Sequence, residues 1–400
     1  MSYPIAYGYG DASSSIYNIY NMTRNNKKII RAVTVPQSTG FFKELIPALN
    51  EQGITVVALS SPGKEMDELE IQGVPTIIIP MERHISLKKD FAALMALIKV
   101  FLREKPDMVH SMTPKAGLLC MMAAWLTRIP VRVHTFTGLV WPTAKGLQRK
   151  ILMTTDWLTC ACATHIIPEG KGVMADLRRH ITRKPMRVLG HGNVKGVDME
   201  RFSLRVEITE LAANFRKRNV FTFLFVGRVV GDKGVGEMVE AFAKLYAEHS
   251  SCRLVIVGQQ EENLDPLKPE TIQKINAVEA IEMVGPQYGD DLIAWYVASD
   301  CFVLPSYREG FPNTVIEAGA MGLPIIVTDI NGSREIVEDG KNGIIIPPKN
   351  TEAIYHAMKR MKEDDQMRCT MAENARPMIA SRFEKGFVQQ CLLDFYDEIL

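Results

Sequence analysis

Residues 221–257, FTFLFVGRVVGDKGVGEMVEAFAKLYAEHSSCRLVIV, contain the pattern that decides the fold. The apolar run Phe221–Val226 has the length of a buried strand, and a glycine-rich turn follows it. The next segment, Val235–Glu248, carries apolar residues at helical spacing, and Arg253–Val257 is again a short apolar run. Strand, helix and strand in this order predict a β-α-β unit with two parallel strands.

The same alternation extends in both directions from this unit and predicts an α/β fold with two doubly wound, Rossmann-like domains. The predicted domains are residues 28–195 and 196–382, joined near 190–198, with a terminal helix over 383–400 that packs back toward the first domain. Residues 1–27 form an N-terminal extension, rich in Tyr, Ser and Asn, to which the sequence assigns no function. Two open sheets bind ligands at the carboxyl ends of their strands, so domains that face each other predict a central cleft.

The net charge of +1 conceals a strong asymmetry between the halves. Residues 1–195 hold 25 Lys+Arg and 14 Asp+Glu, whereas residues 196–400 hold 22 and 32. Such a division predicts that the halves face different partners, and the near-neutral total argues against a nucleic-acid-binding protein. The basic half includes Lys and Arg around the apolar helix 91–102, which fits an anionic membrane surface. A charged, solvated face over a core helix is the favoured alternative for 91–102.

Cysteine usage and the apolar runs set the expected compartment. The seven cysteines are scattered without a Cys-x-x-Cys pair, which favours buried thiols in a reducing cytosol over zinc sites or disulfides. No secretory leader is recognisable, and the apolar runs are shorter than the ~20 residues needed to span a bilayer. We therefore expect a protein that is cytoplasmic, or peripheral on the cytoplasmic face of the inner membrane. Neither a Walker A loop nor a dinucleotide fingerprint is present.

Two loops carry the strongest candidate site residues. In the first, the strand ends at Val226, Gly227 opens the turn that follows, and Arg228 and Lys233 lie where a helix begins, an arrangement that suits a diphosphate. A turn with two solvated cations explains this loop equally well. In the second, Glu309 follows the strand Cys301–Leu304, and Glu317 lies in the next helix, so both could accept hydrogen bonds from sugar hydroxyls.

Taken together, these loops resemble those of glycosyltransferase family 4, retaining enzymes of the GT-B fold that include polyprenyl-diphosphate-sugar transferases of surface-glycan assembly. The matching pieces are the Gly227–Gly234 loop, the Glu309-x7-Glu317 element, the 190–198 joint with Asn193, and Thr328–Glu335. The resemblance runs from about Lys28 to the C-terminus. It implies transfer of a hexose or N-acetylhexosamine from a UDP-sugar to a saccharide acceptor linked to a lipid diphosphate, with no metal and no other cofactor.

The resemblance also implies a role for each site residue. Arg228, Lys233 and Glu309 would be catalytic; Gly227, Phe311, Pro312, Asn313, Thr314 and Glu317 would bind the donor; and Gly40, Lys115, His134 and Thr137 would border the acceptor or the cleft. Many family members have His-Thr-x-His-Gly where this chain has His134-Thr-Phe-Thr137-Gly. The departure at Thr137 places a catalytic histidine in doubt. For Lys115, an ordinary exposed lysine at a helix start is the alternative.

Two other functions stay open on the sequence alone. A nucleotide-sugar epimerase can share this architecture and would convert the donor without an acceptor. A non-catalytic nucleotide-sugar-binding protein would keep the donor residues and lack turnover.

Overall fold

The structure is a computed structural model that describes residues 27–82, 84–261 and 265–400, and it contains two parallel β-sheets of six strands each within these residues. The strands of the first sheet are β1 (Lys27–Ala32), β2 (Ile54–Ser60), β3 (Thr76–Ile78), β4 (Met108–Met112), β5 (Val131–Phe136) and β6 (His165–Pro168). Those of the second sheet are β7 (Phe221–Val226), β8 (Cys252–Val257), β9 (Ile281–Gly285), β10 (Cys301–Leu304), β11 (Ile325–Thr328) and β12 (Gly343–Ile346).

The strand order confirms the predicted pair of doubly wound sheets. The first sheet has the order β3-β2-β1-β4-β5-β6 and the second β12-β11-β10-β7-β8-β9. In each sheet the order reverses once, between β1 and β4 and between β10 and β7. Loops that leave the carboxyl ends of strands on either side of such a reversal diverge and leave room for a ligand.

Helices connect the strands. Those of the residues that the structure describes are α1 (Ile46–Glu51), α2 (Lys64–Ile71), α3 (Leu87–Glu104), α4 (Pro114–Leu126), α5 (Gly146–Cys162), α6 (Lys171–His180), α7 (Val206–Phe215), α8 (Val235–Glu248), α9 (Pro269–Ala277), α10 (Gly289–Val297), α11 (Asn313–Ala320), α12 (Ser333–Ile336), α13 (Thr351–Glu363), α14 (Asp365–Phe383) and α15 (Lys385–Ile399). Short 3₁₀ turns lie at Pro36–Phe41, Lys43–Leu45 and Gly231–Lys233.

The central strands are buried on both faces, which explains their continuous apolar runs. In β7, the consecutive residues Phe223, Leu224 and Phe225 have no exposed surface. Side chains of neighbouring residues on a strand point to opposite faces, so burial of all three requires cover on both sides of the sheet. The apolar run Phe221–Val226 is therefore that of a strand in the middle of a helix-covered sheet.

Helix α14 was not predicted from the sequence. Pro377 lies inside it, and proline removes a backbone donor and normally interrupts a helix, so the segment did not stand out as one long helix. Buried side chains at four-residue intervals, Met371, Ala375, Ile379 and Phe383, hold it against the core. Tertiary packing of this stripe outweighs the local cost of the proline.

The chain forms two compact units, each made of discontinuous segments. Of the described residues, the first unit contains those up to Thr135 together with Ala161–His165 and Tyr396–Leu400, and the second contains Phe136–Cys160 and Ile166–Phe395. The sequence-based domain ranges 28–195, 196–382 and 383–400 stay predictions. The predicted extension 1–27 lies, apart from Lys27, outside the described residues.

A buried polar cluster ties the end of the chain into the first unit. The Tyr396 hydroxyl lies 2.6 Å from Arg31 Nη1 and 2.5 Å from His110 Nδ1, and all three side chains are buried. Burial lowers the pKa of Arg31 and of His110 and raises that of Tyr396 to about 12. Because buried polar groups need partners, these bonds fix the last residues of α15 to β1 and β4.

Candidate functional site

The first site loop leaves the carboxyl end of β7 and leads into α8. The Gly227 N–H donates to the Val257 carbonyl at 3.0 Å, which extends the pairing of β7 with β8 by one residue. The chain then forms the turn Gly231–Lys233 and enters α8 through Gly234, whose φ is +70°. A Cβ at Gly234 would lie 2.2 Å from the Pro305 carbonyl oxygen, so only glycine permits this close approach of two loops.

The second site loop leaves β10, the neighbour of β7, and meets the first loop at an ion pair that is largely shielded from solvent. The Lys233 ammonium contacts Glu309 Oε1, and the two side chains are only 16% and 12% exposed. The Ser306 hydroxyl donates to the same carboxylate oxygen at 2.6 Å. Lys233 and Glu309 therefore lie together at the point where the strand order of the second sheet reverses.

Arg228 and Glu317 lie in different surroundings. Arg228 is exposed and forms an ion pair with Glu261 at 3.1 Å. Lys233, the other cation of the first site loop, is paired instead with Glu309. Glu317 lies in the second turn of α11, where it accepts a hydrogen bond from the Tyr296 hydroxyl at 3.1 Å. Burial raises the pKa of Glu317 above its usual range.

The start of α11 offers backbone donors. Pro312 occupies the N-cap position and supplies no side-chain cap, and the Val315 N–H donates to the Pro312 carbonyl at 3.1 Å, so the N–H groups of Asn313 and Thr314 are the donors that this helix start offers to a ligand. Asn193 donates to the Asn313 side chain at 2.9 Å. The Phe311 side chain is buried against Phe383, with ring centroids 5.3 Å apart, so its part in the site is confined to its backbone. Thr314 follows Asn313 in the same turn.

Two further glutamates lie beside this site, and sequence reasoning gave neither of them a role. Glu169 follows β6 and is only 3% exposed. Burial raises its pKa well above the usual range, and the carboxylates of Glu309 and Glu335 act in the same direction. Glu335 accepts hydrogen bonds from the N–H groups of Lys171 (2.6 Å) and Gly172, which caps α6. The position of Glu169, directly after a strand on a sheet with ligand-binding loops, is the sequence signal that could have revealed it.

Thr137 lies against the Glu309 loop. A Cβ at Gly310 would be 2.0 Å from the Thr137 carbonyl oxygen, and one at Gly138 would be 3.0 Å from the Gly310 Cα. The backbones of Thr137–Gly138 and Glu309–Gly310 are therefore in direct contact. Of the four residues expected to border the acceptor or the cleft, Thr137 is the one that the structure places beside a donor-side residue of the same compact unit.

Gly40 and Lys115 lie at the order reversal of the first sheet. Gly40 is in the 3₁₀ turn after β1, and Lys115 is the second residue of α4, which follows β4. Lys115 is 11% exposed and forms an ion pair with Asp90 at 2.6 Å, and its ammonium also donates to the His84 carbonyl. The lysine is therefore neither solvated nor an isolated cation, in contrast to the alternative of an ordinary exposed side chain.

His134 is part of a buried hydrogen-bonded strand. Its Nδ1 lies 2.9 Å from the Ser111 hydroxyl on β4, and the ring packs beneath Gly117 of α4, where a Cβ would be 2.3 Å from its Cε1. Burial lowers the pKa of His134 to about 3. A group with that pKa is neutral near pH 7, so it is neither a cationic partner for phosphate nor an effective general base, which would need a pKa near the working pH.

Comparison with known proteins places the chain in a family. Residues 207–378 match the family of glycosyl transferases group 1, and residues 41–192 match the glycosyl transferase 4-like domain. The capsular polysaccharide biosynthesis glycosyltransferase CapM of Staphylococcus aureus is 30% identical over 94% of this chain and 98% of its own length. The chain is a family 4 glycosyltransferase. The resemblance that the two loops indicated is thereby confirmed.

A second relative and a solved structure agree with this assignment. The UDP-Gal:alpha-D-GlcNAc-diphosphoundecaprenol alpha-1,3-galactosyltransferase of Escherichia coli is 31% identical to this glycosyltransferase over 85% of the chain and 87% of the relative. The structure of Anabaena Alr3699/HepE in complex with UDP-glucose superimposes with a TM-score of 0.77 at 17% identity, covering 93% of this chain and all of that one. The two sheets are therefore those of the GT-B fold.

Proposed function

We propose that this glycosyltransferase moves a hexose or N-acetylhexosamine from a UDP-sugar to a sugar on a lipid diphosphate during surface-glycan synthesis. The observation that carries the proposal is the buried Lys233–Glu309 pair at the order reversal of the second sheet. The relative from S. aureus is named for capsular polysaccharide, and that from E. coli for a diphosphoundecaprenol acceptor. A protein of the same fold binds UDP-glucose.

Lys233 and Arg228 act on the departing diphosphate. When the bond between the sugar C1 and the phosphate oxygen breaks, negative charge grows on the β-phosphate, and a fixed cation there stabilises the transition state more than the bound substrate. Lys233 is already held in place by Glu309, so little reorganisation is needed at the moment of reaction. The free N–H groups at the start of α11 add donors for phosphate or sugar oxygens, and Glu317 accepts hydrogen bonds from the ribose hydroxyls.

The transfer retains the anomeric configuration and uses no metal. The acceptor hydroxyl attacks C1 from the side on which UDP departs; the new C–O bond forms as the old one breaks, and the hydroxyl proton passes to an oxygen of the leaving β-phosphate. No carboxylate has to form a bond to the sugar, in contrast to retaining glycosidases. The positive charge that a metal ion would supply comes from Arg228 and Lys233.

The decisive assay incubates the full chain with UDP-glucose, UDP-galactose, UDP-N-acetylglucosamine or UDP-N-acetylgalactosamine, with and without N-acetylglucosaminyl-diphospho-undecaprenol. We expect acceptor-dependent UDP release, product with the anomeric configuration of the donor by NMR, and full activity in EDTA. Conversion of the UDP-sugar without acceptor would instead identify an epimerase. Binding of a UDP-sugar without turnover of any acceptor would identify a binding protein.

A face of α3 supports attachment to an anionic membrane. Four large apolar side chains on one side of this helix are exposed by 49–82%, namely Leu87, Phe91, Met95 and Leu102, while Ala93, Leu97 and Phe101 on the other side are buried. Lys88, Lys89, Lys99, Arg103 and Lys105 surround the exposed stripe and are themselves exposed. The buried side of α3 agrees with the core-helix interpretation of 91–102, which leaves the exposed apolar stripe without an explanation. None of the helices within the described residues is long and apolar enough to cross a bilayer.

Vesicle co-sedimentation of the full chain tests this face. We expect binding to phosphatidylglycerol vesicles at low salt and loss of about tenfold in affinity for Phe91→Ser, since burial of one large apolar side chain contributes about 1.5–3 kcal/mol. Leu204→Ser is the matched control because Leu204 is 73% exposed and lies in the other compact unit. Equal binding of both variants and the wild type would remove α3 as the membrane face.

A further inference from the structure

Glu169 is a buried carboxylic acid near the Lys233–Glu309 pair, and the proposed reaction gives it no role. It directly follows β6 and is only 3% exposed. Within the described residues, no protein group forms a hydrogen bond with its carboxyl group. The small surface that it keeps includes the carboxyl oxygens, which are not sealed from solvent. Buried polar groups without a partner are rare in folded proteins, so this carboxyl is a candidate for contact with a ligand.

Thr137 connects Glu169 with the loop that carries Glu309. The Glu169 N–H donates to the Phe136 carbonyl at 3.0 Å, so the two backbones lie side by side. Thr137 is the next residue after Phe136, and its carbonyl oxygen lies against Gly310, which directly follows Glu309. Glu169 is therefore joined to the second site loop through two backbone contacts.

A second set of contacts places Glu169 beside the start of α11. The Asn193 N–H donates to the Glu169 carbonyl at 2.9 Å, and the Asn193 side chain donates to that of Asn313, the first residue of α11. A Cβ at Gly192 would lie 2.6 Å from the Glu169 carbonyl oxygen and 2.7 Å from the Phe311 ring, so only glycine fits between them. Glu169 thus adjoins both ends of the second site loop.

The groups around Glu169 favour the neutral form of its carboxyl. Burial raises the pKa of Glu169 well above the usual range, and the carboxylates of Glu309 and Glu335 act in the same direction. Both neighbours are held in place, Glu309 by Lys233 and Glu335 by the N–H groups at the start of α6. Glu169 therefore carries a proton near pH 7, and a protonated carboxyl can donate as well as accept hydrogen bonds.

A sugar hydroxyl is the ligand group that suits this carboxyl. A hydroxyl also donates and accepts hydrogen bonds, so the two groups can satisfy each other. A phosphate oxygen would have to approach the carboxylates of Glu309 and Glu335, and like charges repel. In a UDP-sugar the charge lies on the diphosphate and the sugar is uncharged, so the sugar is the part that fits beside Glu169.

We propose that the Glu169 carboxyl group contacts the donor sugar and donates a hydrogen bond to one of its hydroxyls. The assignment rests on the glycosyltransferase function proposed above, and it adds to the donor site a residue of the compact unit that holds both site loops. Glu169 binds the sugar and not the nucleotide, so its contribution is present for a UDP-sugar and absent for UDP.

Two substitutions that preserve the size of the side chain test the assignment. Glu169→Gln keeps a neutral donor and an acceptor, whereas Glu169→Met fills a similar space without a donor. Glu169→Ala repeats the test if Glu169→Met does not fold, as judged by the melting temperature. The probes are UDP and the four UDP-sugars of the transfer assay, and their dissociation constants are measured by calorimetry near pH 7.

We expect Glu169→Met to bind the UDP-sugar that the wild type prefers about three- to tenfold more weakly, as for the loss of one hydrogen bond, while its affinity for UDP changes by less than about twofold. Glu169→Gln should match the wild type within about twofold for both ligands, because the neutral form makes the contact.

Unchanged affinity of Glu169→Met for the UDP-sugar overturns the assignment. Equal losses for UDP and the UDP-sugar also overturn it, since they would show a structural role for Glu169. A Glu169→Gln variant as weak as Glu169→Met overturns it as well, because an ionised carboxylate would then be required. These three results leave the transferase function intact. Wild-type protein that binds none of the four UDP-sugars overturns the proposed function, and the assignment of Glu169 with it.

Discussion

The Lys233–Glu309 pair allows catalysis and folding to be tested separately with one set of variants. Lys233→Met removes the cation that we propose to act on the leaving diphosphate. Loss of one preorganised donor at a developing oxyanion lowers turnover about 10²–10³-fold, or ~2.7–4 kcal/mol of barrier, and we expect a decrease of that size. Binding of free UDP should weaken much less, because the interaction is strongest in the transition state.

The same change also destabilises the fold, by an amount that follows from the burial of the pair. Exposed ion pairs contribute about 0.2–1 kcal/mol, whereas removing one partner of a buried pair costs about 3–5 kcal/mol. The two side chains are 16% and 12% exposed, so the pair is close to the buried case. We therefore expect Lys233→Met to lower the free energy of unfolding by ~2–3 kcal/mol. Glu309→Gln should lower the free energy of unfolding by less than Lys233→Met does, because it also removes a negative charge that repels the Glu169 carboxylate.

The double variant Lys233→Met/Glu309→Gln separates the two effects. It leaves no unpaired charge, so its free energy of unfolding by urea should exceed the value expected from the two single changes by at least ~1 kcal/mol. Its turnover should stay as low as that of Lys233→Met. A coupling free energy below about 0.5 kcal/mol would refute the buried pair. Turnover of Lys233→Met within about threefold of the wild type would refute the catalytic role of Lys233.

Three further variants test a raised pKa, a shared hydrogen-bond partner and a close backbone contact. Burial raises the pKa of Asp156 from 3.8 to about 7, so the folded state binds more protons than the unfolded state, and the wild type loses stability as the pH rises from about 4 to 7. In urea unfolding, Asp156→Asn should therefore be more stable than the wild type by up to ~4 kcal/mol at pH 8 and equally stable at pH 4. Tyr396→Phe leaves Arg31 and His110 without their shared partner and should cost at least ~2 kcal/mol; an unchanged melting temperature would contradict that role. Gly310→Ala forces a Cβ to 2.0 Å from a backbone carbonyl oxygen and should abolish transfer, and activity at the wild-type level would show that the loops can separate freely.

Much of the fold could be predicted because its signals are local. The apolar run Phe221–Val226, the glycine turn and the helix that follows encode a β-α-β unit in consecutive residues, and the alternation on either side extends it. Two of the site's loops were identified for the same reason, since strand ends and helix starts can be located along the chain. The proline at 377 shows where local rules fail, because packing against the core decides α14.

The sequence by itself determined that Lys233 and Glu309 lie in loops that follow strands. Only the tertiary structure decided that they form a pair: β7 and β10 are neighbours although β8 and β9 come between them in the chain, and strand order is a property of the whole sheet. The burial of Glu169, the contact of Thr137 with Gly310 and the exposure of Phe91 were decided in the same way. Charge, burial and pairing depend on which distant segments pack together, and spacing along the chain does not carry that information.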